Sequence, residues 1–280
     1  DWVTQSFRMK KDSQLPAKVS VHPAGNDFFT TMPCLLPSDK ERFGVKVVSR
    51  ILGRTPSLSS DILLYNSANG ELLALINADW ITSMRTGAVA TLAIKTLRSS
   101  SARKYSFIGL GNTARATLLC LLSSFPDEIF QVVLFRYKDQ AEYFIDYFRT
   151  FGNVVFSVVD TMEELVEDAD VLVSCITDAD GLLIGNDALF KPGILLVPVH
   201  TRGFQNCDLF FDKVFADDTE HVRSFRYFNQ FKRFNEIGDV LDGTCRGREN
   251  DKERILSYNI GLGLHDVFFA SNIYDMITNR

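Results

Sequence analysis

Apolar and polar residues follow a strand-like pattern over much of the first third of the chain. The segments AKVSVHP (17–23), FGVKVVSRIL (43–52) and DILLYNSANGELLALIN (61–77) have this pattern, and SANG within the third is typical of a hairpin turn. WITSMRTGAVATLAIKTL (80–97) instead has apolar residues at helical spacing, and the polar stretch RSSSARK follows it. The pattern predicts a sheet-rich lobe that ends near residue 98.

From residue 104 to about 218, strand-like and helix-like segments take turns. The predicted strands are YSFIGL, QVVLFR, VVFSVV, DVLVSCIT, GILLVPV and KVFADD, and the predicted helices include QAEYFIDYFRTFG and TMEELVEDA. Such alternation is typical of a doubly wound parallel sheet.

The last part of the chain returns to helical spacing. Residues 221–243 look helical, and residues 255–277 predict a loop followed by an amphipathic helix that returns to the first lobe. We therefore expect an α/β fold of two domains, one formed by residues 1–98 plus 258–280 and the other by residues 99–257.

The composition is that of a globular chain with room for two domains. A net charge of −5 over 280 residues leaves no basic surplus for nucleic acid or an anionic membrane, so neither is an expected partner. No leader or membrane-spanning apolar run is apparent, and we expect a cytoplasmic protein. The cysteines lack zinc-ligand spacing, so we expect mostly buried thiols and no metal at Cys34, Cys120, Cys175, Cys207 and Cys245.

A glycine turn follows the first strand of the predicted parallel sheet. Gly109, Gly111 and Ala114 fit the G-x-G-x-x-G/A pattern, in which glycines let the backbone approach a pyrophosphate. The backbone amides at the start of the following helix, from Asn112 and Thr113 onward, then point at the phosphates. The alternative is a glycine turn that only tightens a strand–helix connection. The place of the glycine motif at the start of an alternating series of strands and helices favours a dinucleotide site.

The end of the second strand bears on the choice of dinucleotide. An acidic residue at this place holds the ribose hydroxyls of NAD, but here the strand ends in Phe135, followed by Arg136 and Lys138. These cations suit the 2′-phosphate of NADP(H), which is slightly favoured over NAD(H). The alternative is a pair of solvated surface cations.

Two cations interrupt apolar patterns in the first lobe. Lys46 lies within FGVKVVSR, and Arg85 lies in ITSMRTGAVATL at what we expect to be a helix start. Buried cations are costly unless they meet an anion, so each indicates either an anionic ligand or an internal carboxylate partner. The alternatives are a solvent-facing strand residue for Lys46 and a structural salt bridge for Arg85.

Taken together, these segments resemble the ornithine cyclodeaminase/mu-crystallin family. The resemblance rests on ADWITSMRTGAVATLAIKTL followed by FIGLGNTARATL, with VKVVS before them and GDVLDGTCRGREND and NIGLGLHD after them. It covers nearly the whole chain. It implies a substrate-binding and dimerising α/β lobe, a Rossmann lobe and a nicotinamide between the two lobes.

The resemblance also implies roles for individual residues. Arg85 matches the arginine that binds the substrate carboxylate, for which a guanidinium fork is suited. Thr86 matches a threonine that helps to hold the cofactor phosphate. Lys46 matches a lysine that contacts substrate, and nearby positive charge is expected to lower its pKa so that the neutral amine acts as a base near pH 7. Met32 matches the methionine of a family turn, and its alternative role is core packing.

The chain departs from the family pattern at two places. Lys18 in LPAKVSVHP stands where many members have a second carboxylate-binding arginine, and lysine keeps the charge but loses the guanidinium fork. The family's opine-type amino-acid dehydrogenases can also carry lysine there, which favours that group. His200, with Arg202 as a weaker neighbouring candidate, stands where cyclodeaminases have a catalytic aspartate. His200 either exchanges a proton or contacts ligand, or else it is a hydrogen-bonded structural histidine.

These features favour hydride transfer between a nicotinamide and the α-carbon of a small amino or imino acid, as in an amino-acid dehydrogenase or ketimine reductase. The first alternative is an ornithine cyclodeaminase that recycles NAD and releases ammonia, against which His200 argues. The second is a non-catalytic NADPH-binding protein, against which Lys46 and Arg85 argue. The family also implies a homodimer.

Overall fold

The computed structural model describes residues 1–177, 179, 181–205 and 208–278 of the chain. They form two compact units, one made of residues 1–85 and the chain from 261 onward, the other of residues 86–260. Helix α2 (Asp79–Leu97) begins in the first unit and ends in the second. The division thus lies inside this helix, earlier than the polar stretch at which we predict it.

The first unit contains a five-stranded antiparallel sheet whose strands lie side by side in chain order. The strands are β1 (Val19–Val21), β2 (Phe28–Leu35), β3 (Arg42–Arg50), β4 (Leu58–Asn66) and β5 (Leu72–Asn77). The strand-like segments of this part and the hairpin are confirmed. The amide of Asn66 stabilises the hairpin turn, because its Oδ1 accepts from the backbone N–H of Ala68 at 2.8 Å.

Two elements of the first unit are not apparent from the sequence pattern. One is helix α1 (Trp2–Arg8), which packs on the last helix of the chain. The other is β2, which contains Pro33. Proline lacks an N–H donor and weakens the strand pattern of this segment.

Helix α8 (Gly263–Thr278) packs on one face of the five-stranded sheet. Gly44 in β3 lies so close to this helix that a Cβ there would be 2.8 Å from Cγ2 of Val267. The helix buries the alternate residues of the central strands, among them Cys34 and Leu64, which have no exposed surface. The last helix therefore belongs to the first unit, although it is far from the sheet in sequence.

The second unit contains an eight-stranded sheet. Its strands are β6 (Lys104–Ile108), β7 (Phe130–Phe135), β8 (Val154–Val159), β9 (Val171–Ser174), β10 (Leu195–Pro198), β11 (Lys213–Ala216), β12 (Phe234–Glu236) and β13 (Ile255–Tyr258). In the order β12, β11, β13, β10, β9, β6, β7, β8, every neighbouring pair is parallel. The predicted doubly wound parallel sheet is confirmed.

Short helices connect these strands. They are α3 (Asn112–Ser124), α4 (Gln140–Tyr147), α5 (Met162–Val166), α6 (Thr219–Val222) and α7 (Ile237–Leu241). Apolar side chains from strands and connections, including Phe190, Leu196 and Val214, form the buried core of the unit.

The prediction of a helix over residues 221–243 is wrong. This segment contains the end of α6, then β12, then α7. Phe228 and Phe234 pack edge to face with ring centroids 5.1 Å apart, and β12 pairs with β11. Packing and strand pairing override the helical spacing. Residues 255–258, predicted as a loop, form β13 inside the sheet, because a run of four residues is too short for its periodicity to be recognised.

The described cysteines are free thiols. Cys34 is fully buried, whereas Cys120, Cys175 and Cys245 are partly buried; Cys207 lies outside the described residues. Within the described part of the chain, no group of three or more His, Cys, Asp or Glu side chains is placed to hold a metal ion. None of the described helices combines the length and the apolar character needed to cross a membrane.

Candidate active site

Lys46 lies at the centre of the first unit's sheet. In the antiparallel register it pairs with Met32 of β2 on one side and Ile62 of β4 on the other, and paired residues share a face. This is the face that α8 covers, and only 1% of Lys46 is exposed. The alternation thus directs Lys46 into the core and not to solvent.

Asp266, in the first turn of α8, neutralises this buried cation. Its Oδ2 lies 2.6 Å from Nζ of Lys46, and its Oδ1 accepts a hydrogen bond of 2.8 Å from Nε of Arg85. Asp266 has no exposed surface, and Arg85 is 4% exposed. Of the two explanations that the sequence left open for Lys46 and Arg85, an internal carboxylate partner is therefore present for both.

Arg85 lies nearly two turns after α2 begins at Asp79, so the expectation that it begins the helix is wrong. Its guanidinium fills a space that glycine leaves: Gly261 has φ +94°, and a Cβ there would be 1.6 Å from Nη1 of Arg85. Among the described residues, this buried Nη1 has no hydrogen-bond partner. A buried, unsatisfied guanidinium nitrogen is suited to an oxygen ligand such as a carboxylate.

The surroundings of Lys46 bring the pKa of its amine close to neutral pH. Burial lowers the pKa of Lys46 most, the charge of Arg85 lowers it further, the ion pair with Asp266 raises it, and the charge of Lys18 lowers it; the resulting pKa is about 7. Burial raises the pKa of Asp266, but the charges of Arg85 and Lys46 outweigh burial and hold it below its ordinary value. Lys46 can therefore gain or lose a proton near neutral pH while Asp266 stays ionised.

Lys18 and Met32 lie on the same row of the sheet as Lys46. Val19 pairs with Thr31, so Lys18, just before β1, lies opposite Met32, and Met32 pairs with Lys46. Met32 lies within a strand, not in the turn that the family resemblance implies. It is 4% exposed, so its position fits core packing.

The glycine turn of the second unit connects β6 to α3. Gly109 has φ +79°, and a Cβ there would lie 2.6 Å from the carbonyl carbon of Cys175, so a side chain at this position would overlap the chain that leaves β9. Gly111 precedes the first residue of α3, and a Cβ there would meet nothing within 4 Å. The turn thus leaves open space in front of a helix N-terminus.

The start of α3 presents the backbone amides of Asn112, Thr113 and Ala114. The helix begins at Asn112, and Ala114 is fully buried, as expected for the small residue that ends the G-x-G-x-x-G/A pattern. This geometry fits a dinucleotide pyrophosphate, since phosphate oxygens accept from helix N-terminal amides. The part of α2 in this unit packs against α3, because a Cβ on Gly87 would be 2.5 Å from the backbone of Ala116 and Thr117. Thr86, one residue earlier, is 8% exposed.

Arg136, at the carboxyl end of β7, is paired with two carboxylates. Its Nε lies 2.7 Å from Oδ1 of Asp160, and its Nη1 lies 2.8 Å from Oε1 of Glu142. The side chain is 45% exposed. A ligand phosphate would therefore compete with these carboxylates for the guanidinium.

His200 follows the end of β10 at the carboxyl edge of the sheet. Its Nδ1 accepts from the backbone N–H of Arg202 at 3.3 Å, so the ring proton lies on Nε2, which donates to Oγ of Ser174 at 2.7 Å. Burial lowers the pKa of His200 to about 4, and the charge of Arg202 also lowers it. Both nitrogens are engaged and the ring is neutral near pH 7, which fits a structural histidine. A role in the site stays a prediction.

Sequence reasoning missed two buried acids whose pKa values are shifted, Asp266 and Asp208. Asp266 was within reach, because no other Asp, Glu, Lys or Arg lies between Ile255 and Tyr274. Asp208 follows the loop after β10 and accepts a 2.5 Å hydrogen bond from the hydroxyl of Tyr258. Burial raises the pKa of Asp208 to about 7, while the bond from Tyr258 lowers it. The sequence holds no comparable signal for Asp208, because its surroundings come from distant segments.

Comparison with known proteins gives a consistent picture. The model of the ornithine cyclodeaminase/mu-crystallin family matches residues 1–280. The Δ(1)-pyrroline-2-carboxylate reductase of Bacillus cereus is 27% identical over 256 residues, which cover 84% of this chain and 77% of that protein. The N-((2S)-2-amino-2-carboxyethyl)-L-glutamate dehydrogenase of Staphylococcus aureus is 28% identical over 232 residues, which cover 77% of this chain and 67% of that protein.

A solved structure agrees in fold. The archaeal alanine dehydrogenase dimer with bound NAD has a TM-score of 0.85 at 24% identity, over 100% of this chain and 91% of that chain. Similarity at this level of identity establishes the common fold.

Proposed function

The chain belongs to the ornithine cyclodeaminase/mu-crystallin family, and on that premise we propose that it is an NAD(P)-dependent oxidoreductase of small amino or imino acids. The observation that carries the proposal is the buried cluster of Lys46, Asp266 and Arg85. It combines an amine that titrates near neutrality with a guanidinium nitrogen that lacks a partner among the described residues. Relatives named as a pyrroline-2-carboxylate reductase and an amino-acid dehydrogenase support the same chemistry.

Arg85 binds the substrate carboxylate in this proposal. Its Nε is held by Asp266, which leaves the Nη groups to donate to the two carboxylate oxygens. Lys18 adds positive charge beside the same row of the sheet, and Met32 supports the site by packing next to Lys46. A carboxylate bound here fixes the orientation of the α-carbon, which is the principal contribution that positioning makes to the rate.

Lys46 accepts and donates the proton in this proposal. When an amino acid is oxidised, its nitrogen loses a proton as the C–N single bond becomes a C=N bond, and the neutral amine of Lys46 accepts that proton. When an imine is reduced, the ammonium form of Lys46 returns the proton to nitrogen. A pKa of about 7 makes both forms available near neutral pH.

The cofactor is a nicotinamide dinucleotide held by the glycine turn of the second unit. Gly109 and Gly111 provide the approach, Asn112, Thr113 and Ala114 provide helix amides, and Thr86 adds a hydroxyl. A bound nicotinamide supplies the chemistry that the side chains lack, the exchange of a hydride with the α-carbon. NADP(H) is slightly favoured because Arg136 can exchange a carboxylate partner for the 2′-phosphate.

A cytoplasmic homodimer completes the proposal. On the sheet face opposite α8, Val19 and Val21 are 60% exposed and Leu75 is 70% exposed. An apolar sheet face of this kind is suited to burial against a second copy. The alanine dehydrogenase with the same fold is described as a dimer.

Replacing Lys46 with Ala tests the proposal at its centre. We expect turnover of amino or imino acids to be abolished while the affinity for the dinucleotide, measured by calorimetry, is unchanged, because the glycine turn lies in the other unit. Replacing the exposed Lys40 with Ala is the control. Turnover that survives the loss of Lys46 would exclude it as the proton carrier.

A further inference from the structure

Asp266 stands at the junction of the two groups that the proposed function uses. Its carboxylate is fully buried in the first turn of α8, and each of its oxygens faces a different cation from a different element. Oδ2 faces Lys46 of β3, and Oδ1 accepts from Arg85 of α2. Three elements that are distant in sequence therefore meet at one carboxylate.

We propose that Asp266 is a positioning residue that links carboxylate binding at Arg85 to proton transfer at Lys46. The inference rests on the proposed function. Asp266 does not itself touch substrate in this scheme; it acts through the two cations that it holds.

The first part of its role is to orient Arg85. A guanidinium offers donors along two edges, and the bond from Nε commits one edge to Asp266. The Nη1 end then lies over Gly261, where any larger residue would collide with it. Without the carboxylate, Arg85 loses the hydrogen bond that fixes its rotation, and its unpartnered nitrogen loses its fixed direction.

The second part is to keep Lys46 able to hold a proton. The charged and titratable groups that face Lys46 are Asp266 on α8, Arg85 on α2, Lys18 before β1, and Cys34 on β2. Burial, first, and the charge of Asp266 raise the pKa of Cys34 to about 12, so this thiol stays neutral. Of the remaining groups, Arg85 and Lys18 both lower the pKa of Lys46, and Asp266 alone raises it.

Loss of the Asp266 charge therefore has a defined direction. Burial and the two cations remain, so the ammonium form of Lys46 becomes less stable and its pKa falls below 7. Lys46 would then be neutral throughout the neutral range. It could still accept a proton, but it would have none to return to an imine.

The test is a titration of Lys46 in the protein without cofactor or substrate. Carbon-13 labelled lysine side chains are followed by NMR against pH in wild type and in Asp266→Asn, and the Lys46 signal is assigned by its loss in Lys46→Met. An opposite charge within contact distance shifts a pKa by ~1–3 units, so the midpoint should fall by about that amount in Asp266→Asn. Asp275→Asn is the matched control, since Asp275 lies on the same helix but pairs with Arg42 near the surface. An unchanged or raised Lys46 midpoint in Asp266→Asn would overturn the inference.

A second comparison keeps the inference testable if Asp266→Asn does not fold. The double variant Arg85→Gln/Asp266→Asn removes one charge of each sign and is compared with Arg85→Gln alone. The Lys46 midpoint should again be lower in the variant that lacks Asp266, and equal midpoints would contradict the assignment.

Kinetics then separate this inference from the proposed function. In Asp266→Asn we expect the KM for the carboxylate substrate to rise at least tenfold and the pH limb near 7 to move to lower pH. If wild type turns over no amino or imino acid, the proposed function fails, and the inferred link to catalysis fails with it, whatever the titration shows. If wild type is active and neither KM nor the pH limb changes in Asp266→Asn, the inference alone fails.

Discussion

Replacing Lys46 with Met should change how the stability of the first unit depends on pH. Lys46 has a pKa of about 7 in the folded protein, against an ordinary value of 10.5. Between these values the unfolded chain binds a proton at this amine that the folded chain does not bind. The free energy of unfolding of wild type therefore rises with pH over this range, by at most ~1.4 kcal/mol per pH unit.

The expected magnitude follows from the same two pKa values. Lys46 is half protonated at its folded pKa, so the rise between about pH 7 and about pH 9 amounts to roughly 2 kcal/mol. Met has no proton to lose, and this contribution disappears in Lys46→Met. The free energy of unfolding of wild type relative to Lys46→Met should thus increase by about 2 kcal/mol over this interval. Below pH 7 the difference should level off, because the amine is then protonated in both the folded and the unfolded protein.

Tryptophan fluorescence during urea unfolding measures this quantity. Both tryptophans, Trp2 and Trp80, belong to the first unit, so their emission reports on the unit that contains Lys46. Lys40→Met, at an exposed lysine of the same unit, should show no such pH-dependent difference from wild type. A difference between wild type and Lys46→Met that is the same at both pH values would mean that Lys46 titrates as an ordinary lysine. In that case it could not act as a neutral base near pH 7.

Three further variants test the dinucleotide site and the choice of proton carrier. Gly109→Ala should weaken NADH binding by roughly tenfold or more in calorimetry, because strain at a positive φ costs about 1–3 kcal/mol and the new Cβ meets the backbone of Cys175. Gly152→Ala is the control and should bind NADH normally, since a Cβ at Gly152 meets nothing within 4 Å. Arg136→Ala should weaken NADP(H) binding by about tenfold or more relative to NAD(H), and equal losses for both cofactors would refute the phosphate role. His200→Gln should retain the kinetic pH limb near 7, since His200 has a pKa of about 4, and loss of that limb would assign the proton to His200.

Much of the fold can be predicted from the sequence because local signals and global structure agree. The alternation of strands and helices from residue 104 gives the parallel sheet, and the glycine turn lies at the end of its first strand, as the motif requires. The prediction fails at residues 221–243, where neighbouring aromatic side chains pack on one another and β12 pairs with β11. The pairing partner of β12 is the preceding strand, in which Val214 pairs with Phe234, and such a partner lies outside the short window in which helical spacing is recognised.

The candidate site could be predicted only in part, for a related reason. Lys46 and Arg85 stand out as charges in apolar surroundings, and the cost of burying them correctly indicates an anionic partner. That the partner is Asp266, on a helix near the other end of the chain, depends on how α8 packs on the sheet. The engagement of Arg136 with Asp160 and Glu142 likewise depends on side chains that only the fold brings together.

The most direct test of the proposed function is a spectrophotometric screen of cofactor oxidation and reduction. NAD(H) and NADP(H) are each supplied with L-amino acids and cyclic imines, and ammonia is assayed in parallel. We expect a net, substrate-dependent change in nicotinamide absorbance that Lys46→Ala abolishes. Ammonia release from ornithine with no net cofactor change would instead identify a cyclodeaminase, and dinucleotide binding without turnover of any substrate in the screen would contradict the assignment of an oxidoreductase.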